Sequence, residues 1–365
     1  MRGVPNQWFS SYLNKRQQCV SASGATSDIK TVDHGVPQGS VLGPLLFLVY
    51  INDLHTCIRY STTRHFADDT NLLYTIDHSK IRNRNPTRNL NIDLRSLNHW
   101  LLANKISLNA TKTELIYFRS KHCPIPTSKI KLNGVVLSAT DNVKYVGIIL
   151  DEHLTFEPHI RILNAKLKRA NNLLAISRHY LPKTLLHQIY FGQFYSHLTY
   201  GCQLWGQNRD RITKIITLQK KAIRLITFSH FQAESSPLFK SLKFLKLPEI
   251  VKINNIIFTQ ATLNKQTPNI FKDYFKVKEV SERQQRFNSM DSVYSIPAGS
   301  LEVPNYATTI GKQSLACICA KVWNTIHREL SLKYPNRYKS DPFWLKKENI
   351  SALKNKLKLH FLEHY

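Results

Sequence analysis

Gly35-Val36-Pro37-Gln38-Gly39-Ser40-Val41-Leu42-Gly43-Pro44-Leu45-Leu46-Phe47 opens a stretch that continues through Tyr50-Ile51-Asn52-Asp53-Leu54 and closes at Phe66-Ala67-Asp68-Asp69. Its first six residues read as a loop, because Gly and Pro punctuate helices and strands. Residues 41–54 are apolar nearly all round, which predicts a buried helix with Pro44 tolerated in its first turn. Apolar-rich arms at 58–67 and 70–76 predict a β-hairpin with Asp68-Asp69 at its bend. Two adjacent carboxylates repel, and a cation beside them relieves that repulsion. Mg²⁺ is the expected cation, since it takes hard oxygen ligands and shares its shell with substrate phosphates. The plainer reading is a solvated Asp-Asp turn, because Asp is a favoured turn residue.

Outward from this stretch the chain divides by character. Towards the N-terminus, Trp8, Phe9, Tyr12 and Leu13 recur at spacings of three and four and predict a short helix. Residues 21–33 are polar and β-leaning. Towards the C-terminus a polar linker, 77–88, precedes an amphipathic helix with Leu90, Leu94, Leu97 and Leu101 on one face and Trp100 beside them. Short strands are expected at 106–108 and 114–118. Asn133-Gly134, between apolar arms, is a strong hairpin signal. Residues 143–150 read as one more strand. Beyond Thr155 the pattern turns helical and basic: residues 161–224 hold 12 Lys or Arg and one acid, Asp210. Ile160, Leu163, Leu167, Ala170, Leu174 and Ile176 set the helical period. From Pro237 the chain stays helix-leaning, with loops between 264 and 310, and ends in a basic amphipathic helix at 345–362.

The composition bounds the function. The chain has 365 residues, is 42% hydrophobic and carries 51 Lys plus Arg against 24 Asp plus Glu, a formal charge of +27. That length predicts about two or three domains, and that charge predicts a polyanionic partner, nucleic acid first. The longest apolar stretch is broken by Gly43 and Pro44 and falls short of a membrane span. No apolar leader follows Met1, so no signal peptide is expected. Six irregularly spaced Cys are not a disulfide framework and suit a reducing compartment. An intracellular location follows, with nucleus and cytoplasm both open. The Cys317-Ile318-Cys319 pair lacks the second ligand pair of a zinc site.

The Pro-Gln-Gly-Ser loop, its apolar follow-on and the Phe-Ala-Asp-Asp box, in this order and spacing, resemble motifs B and C of reverse transcriptases. The flavour resembles non-LTR (LINE-type) retrotransposons of the jockey and chicken-repeat kind. Leu108-Asn109-Ala110-Thr111-Lys112-Thr113-Glu114, with Trp100 and Asn104 ahead of it, is similar to motif D. Val143-Lys144-Tyr145-Val146-Gly147-Ile148 looks like motif E, the hairpin that grips the primer end. Leu218-Gln219-Lys220-Lys221-Ala222-Ile223-Arg224 and Lys321-Val322-Trp323-Asn324 resemble later segments of these elements.

The resemblance implies an α+β fold. Residues 1–150 would form a partial polymerase palm with a mixed or antiparallel sheet. Residues 151–235 would be a basic helical thumb, and 236–365 a mostly helical extension of unassigned role. It implies RNA-directed DNA polymerase activity by two-metal nucleotidyl transfer. Asp68 would be the main ligand of Mg²⁺ or Mn²⁺, and Asp69 a supporting one. Pro37, Gln38, Gly39 and Ser40 would contact template or incoming nucleotide. Lys112 would stabilise the leaving pyrophosphate. Tyr145, Val146 and Gly147 would hold the primer end. Lys166, Lys168 and Arg169 would meet the nucleic-acid backbone. The partners would be an RNA template, a DNA primer and deoxynucleoside triphosphates, with no membrane. Plainer readings stand beside these: a surface lysine at 112, an ordinary loop at 38–39, core aromatics and a solvated basic face beyond 160.

The sequence departs from the family pattern in one respect. A two-metal site takes a further aspartate from motif A, and the acids ahead of Gly35 are only Asp28 and Asp33. Thr31-Val32-Asp33-His34 abuts motif B directly and lacks the leading Asp and Phe, so it reads as a strand end. Val4-Pro5 through Leu13 resembles the family segment between motifs A and B. The expectation is therefore a chain that starts after motif A, without fingers. It would bind metal weakly, expose sheet edges and show no polymerase activity alone. The alternative is a non-enzymatic nucleic-acid-binding relic or co-opted domain. A third reading is an interaction protein with an incidental Asp-Asp turn.

Overall fold

A computed structural model describes residues 2–32, 35–76, 85–278, 300–306, 308–333 and 350–365. The expected strand end at Asp33-His34, most of the 77–88 linker and residues 345–349 of the last expected helix lie outside these. The fold is mixed α/β, with helices and small antiparallel sheets. The chain divides into two compact units, residues 1–140 and 141–365.

The first unit begins with α1 (Val4–Leu13), with Pro5 in its first turn, and a pair of short ladders. β1 (Arg16–Gln18) pairs antiparallel with β4 (Lys30–Val32), enclosing β2 (Ser21–Ala22) and β3 (Ala25–Thr26). After the Gly35–Ser40 loop comes α2 (Leu42–Tyr50), then a 3₁₀ turn, Leu54–Cys57. β5 (Thr62–Phe66) and β6 (Asp69–Leu73) form a hairpin. α3 (Arg88–Ala103) buries Leu90, Leu94, Leu97 and Leu101, the stripe its sequence period requires. These leucines pack with Leu54, Ile130 and Leu132 as the unit's core. β7 (Lys131–Leu132) and β8 (Val135–Val136) close a hairpin over Asn133-Gly134, both at positive φ, as the dipeptide predicts.

Three expectations in this region are corrected. α2 is not buried: only Gly43 is, and Val41 is 94% exposed, with Leu45, Leu48, Val49 and Tyr50 also exposed. The reason is that the sheets described are all two-stranded and offer α2 no continuous apolar face. Residues 106–108 and 114–118 are not strands. Asn109 instead ties a 3₁₀ turn (Ala110–Lys112), and Leu115 makes one isolated bridge, to Ala139. Residues 143–150 are not one strand but a hairpin, β9 (Asn142–Tyr145) against β10 (Ile148–Asp151), bent at Val146-Gly147. This hairpin belongs to the second unit.

The second unit is helical. α4 (Glu157–Ser177) buries Ile160, Leu163, Leu167, Ala170, Asn171 and Leu174. Asp151 caps its approach, accepting from the N–H groups of Thr155 (2.9 Å) and Phe156 (2.6 Å). α5 (Lys183–Ile189) runs through a π-helical segment, Tyr190–Tyr195, into α6 (Ser196–Thr199), then α7 (Cys202–Trp205). α8 (Arg209–Ile226) is capped by Asn208, whose side chain accepts from the N–H of Asp210 at 3.1 Å. α8 packs along α4. α9 (Ser235–Leu242) and α10 (Leu247–Leu263) follow. Helices Leu315–Lys333 and Ile350–Glu363 build a second core with α10 around Ile253, Ile256, Trp323, Leu353 and Leu357. Among the described residues no helix is long and apolar enough to cross a membrane.

Candidate active site and nucleic-acid interface

The β5–β6 hairpin carries the paired acids. Phe66 pairs with Asp69, so the loop is Ala67-Asp68, with Ala67 at φ 53°. Asp68 sits on the bend and Asp69 opens the return strand; both are exposed. On the hairpin, His65 Nδ1 lies 3.1 Å from Thr70 Oγ1. Burial, then the charge of His55, pushes the His65 imidazolium pKa down. His65 is therefore neutral near pH 7 and supplies no cation to the acids.

The donor atoms fit a divalent ion in kind, since carboxylate oxygens are what Mg²⁺ takes. They do not complete a site: among the described residues no group of three His, Cys, Asp or Glu side chains comes together.

What aims the hairpin is Asp93, which the sequence reading passed over. It lies on the buried face of α3 and is 1% exposed. Its Oδ1 accepts from Arg59 N–H at 3.0 Å. Its Oδ2 accepts from Tyr60 N–H at 3.0 Å and Ser61 N–H at 2.7 Å. Three successive backbone donors converging on one carboxylate fix the chain just before Thr62, where β5 starts. A signal was available: Asp93 stands three residues after Leu90 and four before Leu97, on the apolar stripe.

The Gly35–Ser40 loop is organised by Ser40. Its hydroxyl donates to the Pro37 carbonyl at 2.8 Å and accepts from Gly43 N–H at 3.0 Å, joining the loop to the first turn of α2. A Cβ at Gly43 would stand 2.9 Å from Ser40 Oγ and 3.0 Å from Pro37 O, so this contact needs glycine. Gly39 has φ 79°, which glycine adopts without strain. Gln38 and Gly39 are exposed; Pro37 and Ser40 are half-buried. Arg16 donates to Gly35 O at 2.6 Å and anchors the loop's start. No hydrogen bond joins Pro37–Ser40 to Asp68-Asp69 among the described residues. Lys112 ends an exposed 3₁₀ turn held by Asn109 Oδ1, which accepts from Lys112 N–H at 3.2 Å.

In the second unit, Tyr145, Val146 and Gly147 form the β9–β10 bend. Val146 takes φ 44°, unusual for a β-branched residue. Tyr200 holds it there, its hydroxyl donating to Val146 O at 2.5 Å, and Trp205 Nε1–H donates to Tyr200 O at 2.9 Å. Lys166, Lys168 and Arg169 lie on the exposed side of α4. The aromatics of this region divide. Tyr190, Phe194 and Trp205 are core, whereas Tyr180, Phe191 and Tyr200 are exposed.

Residues 1–150 match the family model of reverse transcriptase (RNA-dependent DNA polymerase). The chain is 32% identical over 260 residues to the RNA-directed DNA polymerase from mobile element jockey of Drosophila melanogaster, across 67% of this chain and 27% of that protein. It is 31% identical over 252 residues to the probable RNA-directed DNA polymerase from transposon BS of the same species, across 66% and 27%. Against the Pol polyprotein from the type-1 retrotransposable element R1 of Bradysia coprophila it is 25% identical over 230 residues, across 61% and 22%. The chain spans about a quarter of the length of the curated relatives it matches. No solved structure matches it. With the motif order of residues 35–69, the family match and these relatives agreeing, the chain belongs to the reverse transcriptases, on their non-LTR (LINE-type) retrotransposon side.

Proposed function

We propose that this chain is the palm-to-thumb region of an RNA-directed DNA polymerase, and that Asp68 and Asp69 hold its divalent ions. The observation that carries the reading is the pair of exposed carboxylates at the β5–β6 bend, following the Pro37–Ser40 loop in the order and spacing of the family. A divalent ion there would activate the primer 3′-hydroxyl and neutralise the leaving pyrophosphate. The chain's own residues do the rest. Asp68 and Asp69 supply hard oxygen ligands on a two-stranded frame that Asp93 keeps in place. Gln38 and the bare backbone of Gly39 face the template or incoming nucleotide. Lys112 places a positive charge towards the pyrophosphate. The Tyr145–Gly147 bend holds the primer end, and Lys166, Lys168 and Arg169 neutralise phosphates without reading sequence. The family's two-metal site takes one more aspartate, and among the described residues no third acid joins Asp68 and Asp69.

A second reading is a nucleic-acid binder without catalysis. The observation favouring it is that no third ligand joins the two acids among the described residues.

One experiment separates them: RNA-templated primer extension in Mg²⁺ by this chain fused behind the upstream polymerase segment of the jockey relative. The polymerase reading predicts extension, reduced roughly 10³-fold or more by Asp68→Asn with Asp69→Asn. Extension that persists in the double variant overturns it. Salt-dependent binding to a primer–template duplex with no incorporation establishes the second reading.

A further inference from the structure

At one end of the α4/α8 bundle several aromatic side chains stand out in solvent. Tyr180, just past α4, is 82% exposed, and Phe231, just past α8, is 71% exposed; Phe228 beside it is also exposed. The Arg178 guanidinium carbon lies 5.1 Å from the Phe228 ring centroid, which brings the two helix ends together. The rings of His230 and Phe231 are 4.4 Å apart.

The loop that presents these rings is built, not frayed. Ser229 N–H donates to Arg224 O at 3.1 Å and Phe228 N–H to Leu225 O at 3.4 Å, a Schellman end to α8. Arg224 Nε–H reaches Ala233 O at 2.8 Å and pins the far side. In such an end the residue at positive φ is usually glycine; here it is Phe228, at φ 56°.

Charge selects the ligand. Neither 178–183 nor 224–233 contains a carboxylate, and 161–224 holds one acid against 12 Lys or Arg. Exposed rings on segments rich in cations match a polyanion with accessible π-faces. We propose that Arg178, Tyr180, Phe228 and Phe231 form a stacking site for unpaired bases of single-stranded nucleic acid. A duplex hides its base faces, so this site is distinct in kind from a backbone-neutralising surface for paired strands. The inference needs no catalysis and stands whether or not the chain polymerises.

The test measures fluorescence anisotropy with the 365-residue chain and three probes of about 12 nucleotides: oligo-dT, oligo-rU and a blunt DNA duplex. Tyr180→Ala with Phe231→Ala, both at exposed positions, should weaken both single-strand probes about tenfold or more. Duplex affinity should stay within about twofold, and the salt slope should not change, because no charge is removed. Tyr180→Trp with Phe231→Trp should retain single-strand binding. Tyr180→Leu with Phe231→Leu keeps apolar area without a π-face and should lose it like the alanine pair. Unchanged single-strand binding in the alanine variant overturns the proposal, as does an equal loss on the duplex. Full binding by the leucine variant would also overturn it, by making the patch an apolar docking surface for protein.

Discussion

A carboxylate loses its water on burial and must recover the hydration energy from donors within the fold. Asp93 does so entirely from backbone, through the N–H groups of residues 59–61. Replacing one oxygen by an amide turns an acceptor into a donor facing donors. Asp93→Asn should therefore destabilise the first unit by about 2–4 kcal/mol. It should also speed amide exchange at Arg59, Tyr60 and Ser61, read by hydrogen-exchange mass spectrometry. Unchanged protection there would refute the anchoring role. This residue also marks a limit of sequence reading. An acid on an apolar stripe looks like an interruption of the period, because its partners lie more than thirty positions upstream. The β5–β6 hairpin was legible for the opposite reason, since paired acids between apolar arms are a local pattern, although its bend falls at Ala67-Asp68 and not at Asp68-Asp69.

At the scale of elements the same division holds. Asn133-Gly134 makes a hairpin by its own φ preferences and was readable directly. Val146-Gly147 was not readable that way, since valine resists positive φ; only the resemblance to motif E implied a hairpin there. The bend exists because Tyr200, 54 residues further on, bonds its carbonyl. Tyr200→Phe should free that carbonyl at a cost of about 1 kcal/mol and speed exchange at Ile148, which pairs with Tyr145 across the bend, roughly fivefold. Exchange as slow as in the parent chain would show that β9–β10 bends unaided. α2 fails in the other direction. Its composition reads as buried, yet burial needs a covering layer, and the described two-stranded sheets do not provide one.

For the whole molecule, charge and motif order are the most telling features of the sequence. A net +27 and one acid across residues 161–224 point to nucleic acid. The Pro-Gln-Gly-Ser to Asp-Asp order points to the polymerase family, which the family match and the mobile-element relatives bear out. The roles of individual residues depend on where a metal ion sits, and that can be mapped directly. Fe²⁺ enters Mg²⁺ sites of oxygen ligands and, with ascorbate and peroxide, cuts the backbone beside it. On this account the 365-residue chain is cut at residues 66–70 and, more weakly, at 37–40. Excess Mg²⁺ and Asp68→Asn with Asp69→Asn each abolish both cuts. Cutting elsewhere in the chain, or cutting at 66–70 that survives the loss of both acids, would contradict it.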